Sequence, residues 1–335
     1  MISDEQIEAA LRTAWPDVEL DDARPLTGGQ WATMFHLHLA ATPDGIPRDL
    51  VLRVVPHAEM GAKELAVQTA AAEAGIPTPR VHLTGPAGGP LTGAWAVMDL
   101  APGDPLLADL DGVAALRRLP QILRRVPGQL ADALAAIHRV DPAPVIERVR
   151  AAAPAAAFQI DQLCTHLRTG AAETRRRDLA DAVDRLTSTH TAPTGTVACH
   201  WDMHPFTLLA DGPLIAVLDW TGAIVAVPAY DVSLTWLLLR HPPLAAPSAL
   251  RPAVSAGAGV LARRFLHRYR RANPAADLTS LDWYTSLHAA RILIDLATWQ
   301  RNDDPRAHTH PWHLIAPGAV RVLHRATRIE INNQR

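Results

Sequence analysis

The period of apolar positions changes several times along the chain, and each change predicts an element. Residues 49–55, DLVLRVV, alternate with period two, which sets Leu50, Leu52 and Val54 on one face of a strand and Val51, Arg53 and Val55 on the other. Residues 59–74 then turn helical. Gly75 stops that helix, and Pro77 and Pro79 impose an extended entry into a fourth strand. Residues 94–100, AWAVMDL, form a further strand, broken by Ala101, Pro102 and Gly103. Upstream, residues 25–39 read as two β-like runs joined by Gly28 and Gly29. From Leu106 onward the pattern is helical and alanine-rich, with Leu130, Leu134 and Ile137 spaced i, i+4, i+7 on one buried face. Pro120, Pro127, Pro142, Pro144 and Pro154 are expected to mark breaks between helices. Residues 207–210 and 214–218 flank Asp211 and Gly212, a hairpin signal. Helices follow at 229–239, 252–272 and 279–300. No repeat or long linker interrupts this sequence of elements.

Two places along this pattern put charge where the period calls for apolar residues. Arg53 stands in a strand face between valines, and such a charge needs a partner; Glu64 on the following helix is the natural one. The neighbouring Lys63 is the only lysine in the chain and points to a different helix face from Glu64. The second place is the hairpin. Asp202 precedes its first arm and Asp219 ends its second, so the turn is expected to bring the two carboxylates to the same end of the ribbon, with His200 and His204 on either side of Asp202. Paired acids of this kind suit phosphoryl transfer, in which one orients an attacking hydroxyl and the other holds magnesium. An ordinary hairpin with solvated aspartate caps is the plainer alternative.

Composition narrows the classes. With 335 residues, 48% of them hydrophobic, 20% charged and a net charge of −2, the chain reads as a globular protein large enough for two lobes, without the basic bias of a nucleic-acid binder. No uncharged apolar run approaches the length of a membrane span, and the acidic, amphipathic MISDEQIEAALRTAW does not resemble a signal peptide, which leads to the expectation of a cytoplasmic protein with no membrane partner. Cys164 and Cys199 offer no zinc spacing and read as buried structural thiols. His308, His310 and His313, near Asp303 and Asp304, read as a solvated loop because no helix fixes an i, i+4 ligand pair. His138, at the end of a buried helix, reads as a satisfied core group.

HWDMHPFT followed by LDWTGA resembles the HGDLHPGN and DWE or DWT signatures of the aminoglycoside phosphotransferase and choline kinase-like family. EAGIPTPRV and LAAIHRVDP also resemble phrases of that family. The resemblance spans roughly residues 25–239. It implies an α+β, bilobal protein kinase-like fold: a small N-lobe over 1–101 with an antiparallel sheet and one helix, and a larger, mainly helical C-lobe over 102–335. It further implies an ATP- or GTP-dependent transfer of phosphate to a hydroxyl of a small molecule. In that frame Gly28 and Gly29 cover the triphosphate, Arg53 holds phosphates and is oriented by Glu64, and backbone groups at Asp99, Leu100 and Ala101 take the purine. Asp202 is the base, His200 braces its loop, and Asp219 binds Mg2+ with Thr207. Asp231 is expected to brace the catalytic loop from a helical first turn.

Three departures belong with this resemblance. Arg53 replaces the usual lysine, Trp201 the glycine and Thr207 the asparagine. Macrolide-type members also lack that asparagine and share DWT. A kinase fold that binds a nucleotide or metabolite without phosphoryl transfer is therefore the competing reading. From Asp231 onward the chain holds seven acids and fourteen arginines, with Trp236, Trp283, Trp299 and Trp312 among them. That balance favours a neutral or anionic, partly apolar acceptor, such as a macrolide-like antibiotic or a metabolite, over a polycation.

Overall fold

The computed structural model describes residues 2–26, 32–107, 112–156, 158–189, 195–212, 214–244 and 248–332. Along the first third run α1 (Asp4–Arg12), β1 (Glu19–Leu26), β2 (Thr33–Ala41), β3 (Asp49–Val55), α2 (Ala58–Glu73), β4 (Val81–Gly85), β5 (Ala94–Asp99) and β6 (Asp104–Pro105). Then come α3 (Gly112–Ile137), α4 (Pro142–Ala152), α5 (Ile160–Glu173) and α6 (Arg177–Thr187). Short strands follow: β7 (Val197–Cys199), β8 (Leu208–Asp211), β9 (Leu214–Val217) and β10 (Ile224–Ala226). The chain ends in α7 (Pro228–Arg240), α8 (Arg251–Ala272), α9 (Leu281–Arg301), α10 (Arg306–Thr309) and α11 (Trp312–Thr327). Among the described residues no helix is long and apolar enough to cross a membrane.

The chain folds as two compact units that are not continuous in sequence. The first comprises Met1–Leu106, Asp141–Ala156 and Thr207–Ala223. Its centre is an antiparallel five-stranded sheet in the order β1-β2-β3-β5-β4. The period-two face expected for β3 is the buried one, since Leu50 and Leu52 are fully enclosed with Leu37, Leu39 and Val97 against α1. Each such leucine contributes about 1.5–3 kcal/mol of hydrophobic stabilisation. Gly75, at φ 84°, ends α2 as its sequence position implies. A second sheet, β6-β8-β9, contains the Asp211-Gly212 hairpin, with Gly212 at φ 58°. Gly103, at φ 95°, lies so close to the Ala210 carbonyl that any Cβ would collide with it, so β6 can pair with β8 only through glycine.

The second unit comprises Leu107–Val140, Ala157–Phe206 and Ile224–Arg335. Its core is helical, built around α9, whose Leu287, Ala290 and Ile294 are buried with residues of α5, α6, α7 and α11.

Two sequence expectations are corrected here. Pro120 and Pro127 do not break the chain into separate helices; both lie inside α3. Proline removes the N–H that the carbonyl four residues earlier requires. For Pro127 that carbonyl belongs to Leu123, and Arg264 Nη1 of α8 donates to it at 2.9 Å, so the helix continues with its lost donor replaced. The stretch 308–313 is not a loop either, although His308 and His313 are solvent-exposed as expected. Pro305 and Pro311 sit at the N-caps of α10 and α11, so they start helices there, and the His310 ring packs 4.9 Å from Trp299 and 4.7 Å from Trp312.

Candidate active site

In the first unit the β3 register places Arg53 opposite Met34 and Ala96, on the face of the sheet that α2 covers. Glu64 of α2 is 2% exposed and meets Arg53 Nη2 at 2.9 Å, which is the strand-to-helix pair expected from the sequence. The same nitrogen donates to Thr221 Oγ1 at 3.1 Å and lies 3.7 Å from Asp219 Oδ1. Arg53 Nη1 points at the Met34 sulfur, and its Nε is buried without a hydrogen-bond partner. Burial pushes the Glu64 carboxyl up from its ordinary pKa, while Arg53 pulls it down; burial prevails, helped by the nearby charge of Asp219. Thr221 joins the group by donating to Asp219 Oδ1 at 2.7 Å.

Asp219 follows β9, and its backbone turns through φ 63°, a conformation that aspartate tolerates. Its side chain stays 37% exposed, and its described contacts all go to Oδ1. Thr207 stands across the ribbon: its carbonyl accepts from Leu218 N at 2.8 Å, which sets it one residue from Asp219, and it is 5% exposed. A carboxylate and a threonine on facing arms of one ribbon offer an all-oxygen donor set, the kind that magnesium takes. Of the positions expected to take the purine, Asp99 accepts from Arg80 N at 3.2 Å and bonds His82 at 2.6 Å, and Leu100 is exposed. Gly28 and Gly29 lie outside the described residues.

In the second unit the loop after β7 is fixed from α7. Asp231, in the first turn of that helix and fully buried, accepts from His200 N at 2.7 Å and from Trp201 N at 2.5 Å. Its Oδ2 also takes His138 Nε2 at 3.0 Å, and His138 Nδ1 meets the Tyr269 hydroxyl at 2.6 Å. Asp231 thus braces the loop as expected from the sequence, and His138 is a satisfied core group. Cys199 lies beside them, with three ligand-type atoms within 4.8 Å of one another. Both nitrogens of His138 are occupied, by Asp231 and by Tyr269, so these side chains serve as a brace.

The loop delivers Asp202 next to two histidines. Its own N–H donates to His200 Nδ1 at 3.3 Å, and its carboxylate lies 3.7 Å from His204 Nε2. His200 is fully buried. Burial acts to raise the Asp202 pKa, but His204, Arg291 and His200 outweigh it and hold the carboxyl below its ordinary range. Asp202 is therefore ionised at neutral pH, as a group that accepts a proton must be.

Trp201 adopts φ 78°, an outlying conformation for so large a residue. The Arg291 guanidinium of α9 lies 3.2 Å above its ring and 5.0 Å from that of Trp312. Arg291 and Thr221 are the site residues that sequence reasoning missed. For Thr221 the signal was present in the DWT triplet itself. For Arg291 it was an Arg and an Asp spaced i, i+4 inside the otherwise apolar ARILIDLA.

The mixed α+β fold, with an N-terminal antiparallel sheet and a larger helical C-terminal part, is protein kinase-like. Residues 22–276 match the model of the Phosphotransferase enzyme family, and the chain belongs to that family. A thermostable mutant of aminoglycoside phosphotransferase APH(4)-Ia, solved with AMP-PNP and hygromycin B, is 20% identical, with a TM-score of 0.58 over 95% of this chain and 96% of that one. Macrolide 2'-phosphotransferase MphH from Brachybacterium faecium is 18% identical, with a TM-score of 0.54 over 95% and 98%. A mutant of aminoglycoside 2'-phosphotransferase-IIIa in complex with GDP is 16% identical, with a TM-score of 0.58 over 97% and 98%. No curated protein matches the chain.

Proposed function

We propose that this protein is an ATP- or GTP-dependent kinase that phosphorylates a hydroxyl of a small, neutral or anionic, partly apolar molecule. The observation that carries the reading is Arg53 held by Glu64 at 2.9 Å with Asp219 at 3.7 Å. It sets a fixed cation and a part-exposed carboxylate side by side, the pairing that a nucleotide polyphosphate and its metal require. In this reading Asp219 and the Thr207 hydroxyl would hold Mg2+, which when bound would supply positive charge against the phosphate oxygens. Arg53 binds phosphate oxygens, Glu64 orients it, and Thr221 keeps the Asp219 carboxylate in one rotamer. Asp202 accepts the acceptor's proton, while Asp231 and His200 keep its loop in place. Backbone groups around Asp99, Leu100 and Ala101 take the purine.

The relatives' bound nucleotides, AMP-PNP in one and GDP in another, support a nucleoside triphosphate as co-substrate. The competing reading, a binding protein without transfer, draws on Thr207 and on the strained Trp201. Calorimetry with ATP and GTP, with and without magnesium, combined with a phosphate-transfer screen over hydroxylated small molecules, tests both. Magnesium-dependent binding that is lost in Asp219→Ala, together with transfer to at least one acceptor, is the expected result. Magnesium-dependent binding with no acceptor phosphorylated leaves the binding-protein reading, and nucleotide binding indifferent to both magnesium and Asp219→Ala removes the kinase reading.

A further inference from the structure

At the carboxyl end of α7 the second unit forms a cavity of about 1040 Å3 against the start of α8 and one face of α11. Arg240, Arg251, Arg321 and Arg325 line it, and no aspartate or glutamate does, although the whole chain carries 34 acids against 32 lysines and arginines. Its remaining wall is mostly apolar, with Trp236 and the exposed Leu244 and Leu314 among its side chains, and His241, Ser255 and His313 as its other polar groups. Such a size lies at the upper end of small-molecule sites, about 300–1,000 Å3. Asp231 sits five residues before Trp236 and nine before Arg240 on α7, so the helical rise sets these two cavity residues about 7 and 14 Å along the helix from the residue that braces the loop.

Three observations separate this cavity from a solvated basic face. The first is the state of its arginines. Among the described residues neither Arg321 nor Arg325 has a carboxylate within ion-pair distance, and Arg240 donates to the Ser255 hydroxyl at 3.4 Å. The other arginine-rich cavity, between α3 and α8, differs in this respect. There an acid, Asp132, is part of the wall and makes a two-pronged pair with Arg268 at 2.8 Å, and Arg264 serves the Leu123 carbonyl, so two of its four arginines are committed to the fold. The second is spacing: Arg321 and Arg325 stand at i, i+4 on α11, where like charges repel. The third is His241, whose ring packs so closely on Gly318 that a Cβ there would collide with it. Burial, and then Arg240 and Arg321, lower its pKa to about 4, so at neutral pH it offers a neutral imidazole among the cations.

We infer that this cavity binds an organic anion with an apolar body, of the phosphate monoester type, its head held by Arg240, Arg321 and Arg325 and its body laid against Trp236. Guanidinium forks match phosphate oxygens two at a time, and a bound dianion removes the repulsion between the two α11 arginines. This site does not depend on the phosphotransfer reading.

Calorimetry on the full chain with 2-naphthyl phosphate, 2-naphthol and inorganic phosphate tests it. The ester is expected to bind at least tenfold more tightly than either part, and more weakly as sodium chloride is raised. The double variant Arg321→Ala/Arg325→Ala, at two exposed positions, should lose at least tenfold in affinity without a lower melting temperature. Arg240→Gln supplies an independent route to the same loss should the double variant misfold. Asp219→Ala should leave the affinity unchanged. Equal binding of ester and naphthol overturns the proposal by showing an apolar cavity only. So does binding that survives both arginine variants, or that disappears in Asp219→Ala, since the ester then sits elsewhere.

Discussion

The loops that present Asp202 and Asp219 both pass through left-handed backbone, at Trp201 in the first and at Asp219 itself in the second, yet they are held by different means. The Asp202 loop is anchored through its main chain: two consecutive N–H groups enter a buried carboxylate, which is bonded in turn to a buried histidine whose other nitrogen meets a tyrosine hydroxyl. The Asp219 loop is held through side chains, by a threonine hydroxyl and an arginine 3.7 Å away, and its carboxylate remains part exposed. A main-chain anchor fixes position and costs a great deal to break, because the buried acceptor has no substitute partner. A side-chain anchor leaves the carboxylate able to exchange partners. Fixed geometry suits a proton acceptor and exchangeable ligation suits a metal ligand, so the two loops differ in the way the proposed roles require.

The sharpest way to break this comparison is to treat both anchors alike. Asp231→Ala removes a fully buried charge that serves three donors, and it should lower stability by about 3–5 kcal/mol. Asp219→Asn keeps a residue that tolerates positive φ and should change stability by less than about 1 kcal/mol. Urea titration of the two variants reads the difference directly. Equal losses would mean that Asp219 is as structural as Asp231.

Asp202→Asn comes next in size. The amide keeps shape and hydrogen-bonding reach but cannot take a proton, so transfer to an acceptor found by screening should fall about 10²-fold or more, with nucleotide affinity almost unmoved. A tenfold change in nucleotide affinity in this variant would place Asp202 among the nucleotide ligands instead.

How much of this was legible in the sequence follows from the same contrast. The strand with Arg53, the helix with Glu64 and the hairpin before Asp219 are local patterns of period and turn chemistry, and their elements form within a residue or so of where the pattern puts them. Asp231 could be read from its place in the family phrase after the DWT triplet, yet the backbone donors it takes, His200 N and Trp201 N, lie about thirty residues earlier and not in its own helical turn. Arg291 could not be placed, because its partner Trp201 lies ninety residues away and no local rule joins a helix-interior arginine to a loop tryptophan. The continuity of α3 was hidden for a similar reason: proline signals a break, and the donor that repairs it comes from Arg264, far along the chain.

An acid titration probes the fixed loop's surroundings. His288 is buried, its Nε2 donates to the Tyr230 carbonyl at 2.9 Å, and its Nδ1 has no partner. Burial lowers its pKa to about 4. The folded state therefore binds fewer protons than the unfolded chain between pH 4 and about 6.5, so stability is full above the unfolded pKa and declines as pH falls through this window. The decline from this residue should reach about 3 kcal/mol at the acid end. His288→Gln, which keeps a donor for Tyr230 and cannot be protonated, should flatten that part of the profile in urea titrations between pH 8 and 4.5. An unchanged slope would assign the acid loss to other groups, His310 foremost, whose pKa burial also lowers to about 4.

The smallest effect concerns how Trp201 tolerates its backbone. A tryptophan at φ 78° carries a strain of about 1–2 kcal/mol that glycine would not. The Arg291 guanidinium, 3.2 Å above the indole and largely removed from water, offsets it through a cation–π contact of about 2 kcal/mol. The two terms nearly cancel, so the cost of Trp201→Gly alone should be that of the indole's packing against the helical core. Arg291→Met alone should also cost stability, since the strain remains and the contact is gone, while Asp295 loses its partner at 3.5 Å. Trp201→Gly and Arg291→Met together should then lose less than the sum of the two single losses, giving a coupling of about 1–2 kcal/mol in a double-mutant cycle. Additive losses would show that Arg291 does not support the bend before Asp202, and that the main-chain bonds to Asp231 hold the loop unaided.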